Sequence, residues 1–377
     1  MTAVDKIKTP FYVVYEERLR HNIEIIMDVA RRADVEIIMA FKANALWRTF
    51  PVFREYGVNA TASSLNELRL AREELHAEVH SYCPAYTDET INEFLDGSTH
   101  ITFNSLSQAE RFLPEVRERA GRVSAGLRVN PRCSVIETDI YNPALPGSRF
   151  GVSAEDMPAA LPEGIDGFHF HALCESGADD LARVLEAFEA QFGRFLPRLK
   201  WVNMGGGHLM TREGYDRDGL VALLRDFKRR HPNLHVILEP GSAWTWRTGD
   251  LIASVVDIVE NQGIKTAILD VSFACHMPDT LEMPYQPAIT ESVHGAPYSY
   301  RMGGNSCLSG DYAGPWQFAR PLQPGQRLTL EDMNHYTTVK TTMFNGISHP
   351  SIVFVTTDGT CLPVRTFTYE DYKSRMS

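Results

Sequence analysis

The chain has 377 residues, 44% of them hydrophobic and 23% charged, enough to bury one barrel-sized core and a second, smaller one. Lysine and arginine number 37 against 48 aspartates and glutamates, a formal charge of -11 with no basic block, which argues against a nucleic-acid partner and tolerates a cationic small substrate. No signal sequence is visible, no apolar run approaches the roughly 20 residues a bilayer requires, and the six cysteines are scattered without a C-x-x-C pair, so a cytoplasmic protein with reduced thiols, no zinc and no membrane association is expected.

Residues 9–15 read as a strand, and 16–32 carry helical spacing at Leu19, Ile23, Ile26, Met27 and Ala30. Strand-like apolar runs then recur at 35–41, 58–62, 79–83, 100–103, 123–129, 165–170, 200–204 and 234–238, with helical patterns between most of them. Leu181, Val184, Leu185, Phe188, Phe192 and Phe195 make the clearest amphipathic face. About eight strands alternating with helices over roughly 210 residues fit an α/β fold of the (β/α)8 barrel kind, with a doubly wound open sheet as the alternative. From Gly249 onward, short β-rich runs at 251–259, 266–273, 297–302, 326–330 and 352–355 are separated by Gly, Pro and Asn, which indicates a mostly-β second domain. The first strand is expected to join it, because a barrel beginning near Val35 has no place for that strand. The expected division is a barrel over 16–246 and a β-rich domain made of 1–15 and 247–377.

A parallel barrel gathers the ends of its strands at one rim, where barrel enzymes keep their chemistry. The runs end in Lys42, Ser63, Pro84, Asn104, Asn130, His171, the triplet Gly205-Gly206-Gly207 and Glu239. Lys42 follows E-I-I-M-A-F; with such apolar neighbours its ammonium is poorly solvated, which favours the neutral amine and Schiff-base chemistry, although a lysine capping a strand is also commonplace. The glycine triplet, after the seventh run and before a helix, can aim several backbone N–H groups at a phosphate or simply make a tight turn. Glu239, in Glu239-Pro240-Gly241, can bond a protonated ring nitrogen or form a strand-end ion pair. His171 alternates with His169, and its flat imidazole can stack on a planar ligand or be a satisfied barrel histidine, the commoner case; metal binding by the pair lacks a third ligand at a recognisable spacing. Lysine, histidine, glycines and glutamate together specify pyridoxal 5'-phosphate.

The sequence resembles the fold-type III pyridoxal phosphate decarboxylases, the group that contains ornithine, arginine and diaminopimelate decarboxylases and shares an alanine racemase-like barrel. The resemblance runs from about residue 9 to the C-terminus and rests on A-F-K-A-N around Lys42, H-F-H-A at 169–172, G-G-G at 205–207, E-P-G at 239–241, Cys307 with Asp311, and Tyr336 ahead of Phe344-Asn345-Gly346. Within the group it is most similar to the carboxynorspermidine/carboxyspermidine decarboxylase branch, through E-P-G-S-A-W at 239–244, F-H-A-L-C-E-S at 170–176, M-P-D-T-L-E-M-P at 277–284 and G-N-S-C-L-S-G-D-Y at 304–312. The resemblance implies that Lys42 attaches the cofactor, Glu239 holds its ring nitrogen protonated, His171 stacks on it, and Gly206, Gly207 and Tyr336 bind its phosphate. It further implies a homodimer with shared active sites, in which Cys307 comes from the partner subunit, and carboxylates at Asp311 and Asp279 that meet a carboxylated polyamine.

Several positions depart from the wider group. Ser242 stands where many relatives have arginine, Leu308 where an acid often follows the cysteine, and Cys174 and Glu175 displace an expected serine, leaving Ser176 as its substitute. Loss of a fixed cation argues against diaminopimelate, whose second carboxylate wants one. The alternatives are another amino-acid decarboxylase of the group, a racemase, or a non-catalytic regulatory homologue.

Overall fold

The computed structural model describes residues 4–136 and 138–377, so the first three residues of the expected 1–15 segment lie outside the described residues. The chain forms two compact units, one spanning Asn22–Trp244 and the other combining the N-terminal residues up to His21 with Thr245–Ser377. In chain order the first elements are β1 (Phe11–Tyr15) and α1 (Glu16–Ala33), the latter running across the unit boundary.

The larger unit is the expected (β/α)8 barrel. Its strands are β2 (Glu36–Ile37), β3 (Met39–Ala40), β4 (Ala60–Ala62), β5 (Val79–Tyr82), β6 (His100–Phe103), β7 (Ser124–Asn130), a short β8 (Val152–Ser153) beside β7, β9 (Ile165–His169), β10 (Trp201–Asn203) and β11 (His235–Leu238). β2 and β3 are one strand interrupted at Ile38: the first half pairs with β11, the second with β4, and this brings the ring of parallel strands round. Helices α2 (Phe50–Glu55), α3 (Leu65–Leu70), α4 (Ile91–Gly97), α5 (Leu106–Glu118), α6 (Ala178–Phe192) and α7 (Arg217–Arg230) alternate with the strands. Each helix buries one stripe: Leu181, Val184, Leu185, Phe188 and Phe192 of α6 are all buried, and Phe168 of β9 meets Phe188 and Phe192 edge-on. Parallel pairing throughout places every strand's C-terminal end on the same rim.

The second unit is mostly β and takes β1 as expected. Its strands are β12 (Gly249–Asn261), β13 (Ile264–Leu269), β14 (Tyr298–Gly303), β15 (Tyr312–Phe318), β16 (Arg327–Leu330), β17 (Ser351–Val355) and β18 (Cys361–Arg365), ordered β15-β14-β13-β12-β1-β17-β18 with β16 also on β12. β1 lies antiparallel to β12 and parallel to β17. Tyr12 packs into one core with Leu251, Leu269 and Met302, while Phe11 and Val13 pack on the other face with Ile252 and Val353. Burial on both faces is why β1 is an unbroken apolar run.

The two described strands of this unit absent from the sequence reading, β15 and β18, are the ends of this order, and each contains a proline, Pro315 and Pro363. Proline cannot donate to a ladder, so it is confined to edges and breaks the strand signal there. The run expected at 266–273 stops at Leu269; Ser272 caps a short helix, Phe273–His276, by accepting the Cys275 N–H.

Candidate active site

Lys42 lies in the turn that follows β3, where the Ala43 N–H donates to the Ala40 carbonyl at 3.1 Å. Phe41 packs behind it against Phe50, ring centres 5.0 Å apart. The Lys42 side chain is exposed, yet protein surrounds it closely enough that desolvation lowers its pKa, with Glu239 opposing the effect and the Arg128 cation adding to it. A side chain on a concave wall behaves this way. Among the described residues its amine makes no hydrogen bond and no ion pair within 4.0 Å.

Glu239 ends the eighth barrel strand. Burial works to raise its pKa, but His169, the Asn203 amide and Lys42 outweigh burial and bring it down to about 2. Asn203 Nδ2 donates to Glu239 Oε2 at 3.0 Å, and His169 Nε2 approaches Oε1 at 3.1 Å, off the line of a good hydrogen bond. His169 is 1% exposed and its own pKa is depressed by that burial, so the pair at neutral pH is an ionised glutamate beside a neutral imidazole.

His171 sits just past β9. Its Nδ1 accepts the Gly206 N–H at 3.0 Å, so the neutral ring carries its proton on Nε2. Burial, then the Lys42 and Arg128 cations, hold its pKa well below the ordinary value. The glycine triplet is required by contact as much as by φ. Gly205 has φ +70, and a Cβ on Gly206 would lie 2.4 Å from the Glu239 carbonyl oxygen. The Gly207 N–H has no acceptor among the described residues.

The structure therefore brings Lys42, His171, Gly206, Gly207 and Glu239 together at one rim of the barrel. It adds residues that the sequence reading did not single out. Arg128 on β7 is 4% exposed, with its guanidinium 4.7 Å from the Tyr82 ring and 4.4 Å from the Phe150 ring. Glu67, one turn into α3, accepts the Ser63 N–H at 2.6 Å and lies within electrostatic range of Lys42. Asn203 stands two residues before the first glycine of the triplet, with Met204 between them. A charged residue inside an apolar strand, as in G-L-R-V-N, and an asparagine at a strand end were the available signals. Ser176 is buried, and its hydroxyl donates to the Cys174 carbonyl in its own turn rather than facing outward.

The remaining candidates belong to the sheet unit. Cys307 is exposed at the tip of the loop between β14 and β15, and its N–H donates to Asn345 Oδ1 at 2.7 Å. Asp311 closes the same loop and is only 4% exposed; its carboxylate accepts the Ala274 N–H at 2.9 Å, the Ser306 N–H at 3.3 Å and the Ser306 hydroxyl. The carboxylate expected as a counter-charge at Asp311 also braces its own loop. Asp279 opens a short helix, Asp279–Glu282, and pairs with Lys340, which also bonds Glu282 at 2.6 Å. Tyr336 has φ +55 and lies edge-on to His335, ring centres 6.4 Å apart. No group of three or more His, Cys, Asp or Glu among the described residues is arranged to hold a metal ion.

Comparison with known proteins gives this arrangement a context. A family profile described as "Pyridoxal-dependent decarboxylase, C-terminal sheet domain" matches residues 11–334. The chain is 46% identical to carboxyaminopropylagmatine decarboxylase of Synechocystis sp., covering 99% of this chain and 96% of the relative. It is 38% identical to carboxynorspermidine/carboxyspermidine decarboxylase of Campylobacter jejuni, covering 98% and 99%. A crystal structure of carboxynorspermidine decarboxylase from Campylobacter jejuni, complexed with norspermidine, superposes with a TM-score of 0.90 at 37% identity, covering 98% of this chain and 100% of that one. Diaminopimelate decarboxylase of Methanocaldococcus jannaschii is more distant, at 22% identity. With the barrel, the sheet domain and full-length relatives in agreement, this chain is an enzyme and belongs to the pyridoxal-dependent decarboxylases.

Proposed function

We propose that the enzyme removes the α-carboxylate of a carboxylated polyamine, carboxynorspermidine or carboxyspermidine, giving norspermidine or spermidine, with pyridoxal 5'-phosphate attached at Lys42. The observation that carries this reading is the single rim on which an unpaired, pKa-lowered lysine, an ionised glutamate, a neutral histidine and a glycine turn meet. The residues fit the cofactor one group at a time. A lysine that readily loses its proton suits the aldehyde, an anionic Glu239 suits a protonated ring nitrogen, and a neutral His171 suits the ring face. The Gly207 N–H, without an acceptor among the described residues, suits the phosphate, to which we also assign Gly206 and Tyr336.

Bound there, the cofactor would supply a carbonyl for the substrate amine and a cationic ring able to accept electron density from Cα. Lys42 would hold the cofactor's aldehyde carbon and yield that place to the substrate amine, a role that its lowered pKa suits. Glu239 keeps its negative charge because the Asn203 amide donates to it, and so would keep a proton on a ring nitrogen placed before it. The bond from Cα to the carboxylate breaks, its electron pair stays at Cα, carbon dioxide leaves, and one proton takes its place. Cys307 Sγ, exposed at its loop tip, is the candidate donor, with water as the other source. Asp311 and Asn345 hold that loop. We assign Cys307 to the neighbouring copy in a homodimer, and Asp279 to the distal cation of the substrate, which would compete with Lys340 for it. The reaction is placed in the cytoplasm, in keeping with six free thiols; no described helix is long and apolar enough to cross a membrane.

A second reading is favoured by the relative at 46% identity, whose name specifies carboxyaminopropylagmatine, a substrate ending in a guanidinium instead of an amine. Carbon dioxide release from carboxynorspermidine, carboxyspermidine, carboxyaminopropylagmatine, diaminopimelate, ornithine and arginine, assayed side by side, tests both. Turnover of the first two well above the rest is expected. A clear preference for the guanidinium substrate would replace the first reading with the second, and a preference for any amino acid in the panel would overturn both.

A further inference from the structure

We propose that Asn203 is a positioning residue that locks the acid facing the cofactor's ring nitrogen to the glycine turn facing its phosphate, so that the two ends of the binding site move as one piece. The inference rests on the cofactor site proposed above. Asn203 is the last residue of β10 and is 4% exposed. Its orientation is fixed by its neighbours. The Gly205 N–H donates to Oδ1 at 2.8 Å, and Nδ2 donates to Glu239 Oε2 at 3.0 Å. Turning the amide over would set a donor against the Gly205 N–H and an acceptor against a carboxylate, losing both bonds.

The backbone repeats the same link. The Glu239 N–H donates to the Gly205 carbonyl at 2.8 Å, and the absent side chain of Gly206 lets the Glu239 carbonyl approach to where a Cβ would stand. Gly206 then ties in the third group, by donating to His171 Nδ1. Acid, turn and stacking ring therefore form one continuous hydrogen-bonded chain, with Asn203 as the only side chain in it that bonds both the carboxylate and the turn. His169 borders the other carboxylate oxygen and is itself buried. A rigid, flat ligand of fixed length gains from such a frame, since the geometry is set before it binds.

Asn203→Asp separates the two halves of this role. An aspartate keeps an acceptor for the Gly205 N–H, and so keeps the turn, but sets an anion against Glu239. Combining it with Glu239→Gln reverses the donor and acceptor and restores the bond between the two positions. The test measures the cofactor dissociation constant of wild type, both single variants and the double variant, reconstituted from cofactor-free protein, by visible absorbance and fluorescence. Asn203→Asp is expected to weaken binding at least about tenfold, and the double variant to return to within about threefold of Glu239→Gln alone, while turnover stays low because no acid faces the ring. Penalties that simply multiply in the double variant would overturn the inference. If Asn203→Asp does not fold, Asn203→Ser, which retains an acceptor for the turn but is too short for Glu239, takes its place; wild-type affinity in that variant also overturns it. Lys42→Ala is measured in parallel: if it keeps the wild-type visible absorbance, the underlying cofactor reading fails, whereas loss of that absorbance together with multiplying penalties defeats only the role of Asn203.

Discussion

The barrel unit and the sheet unit hold their candidate residues in contrasting ways. In the barrel, Lys42, His171 and Glu239 follow the ends of parallel strands, and desolvation and the charges and dipoles of neighbouring groups set their protonation. In the sheet unit, Cys307, Asp311, Asp279 and Tyr336 sit in loops or short turns, and the two carboxylates already serve their own unit. Strand ends in a closed ring cannot shift alone, so they suit groups whose protonation state matters. Loops held by a few hydrogen bonds suit a thiol that must be presented and a carboxylate that exchanges one cation for another.

Substitutions can break or sharpen this contrast. Lys42→Ala should abolish the visible absorbance of bound cofactor and reduce turnover by several powers of ten; because the side chain is exposed and bonds to no described residue, thermal unfolding should stay close to wild type. Glu239→Gln keeps the shape but removes the charge, and kcat should fall about a hundred- to thousandfold, read from single-turnover kinetics. In the sheet unit, Asp311→Ala strands two backbone N–H groups, costing about 1–3 kcal/mol of stability. It should also change the alkylation rate of Cys307 relative to the exposed Cys174, by mass spectrometry, and leave cofactor absorbance unaltered.

The acid limb of stability offers a finer comparison. Glu239 has a folded pKa of about 2, below its ordinary 4.5, so its charge contributes stability that is present above about pH 4.5 and is lost as pH falls towards 2. Chemical denaturation of cofactor-free protein across this window should show a shallower decline for Glu239→Gln than for wild type. The smallest effect is expected at Lys340. Its pairs are partly exposed, so Lys340→Met should change stability by only about 0–1 kcal/mol while lowering KM for the cationic substrate, by freeing Asp279. An unchanged KM would separate Asp279 from substrate binding.

The barrel was legible because alternation of apolar runs and amphipathic helices is imposed locally, and because strand-end residues such as Lys42 and Glu239 inherit their position from the strand. The edge strands β15 and β18 were not, since prolines erased their pattern where a sheet edge tolerates them. The sequence by itself determined the order of lysine, histidine, glycines and glutamate around the ring, and so the kind of chemistry. Only the tertiary structure decided which polar groups remain free for a ligand and which are spent on the protein. Asp311 and Ser176 are turned inward on their own loops, Asp279 is paired with Lys340, and Asn203 bridges Glu239 to the glycine turn. Such hydrogen bonds join residues from different elements, or depend on how a loop folds back, and neither periodicity nor motif spacing encodes that.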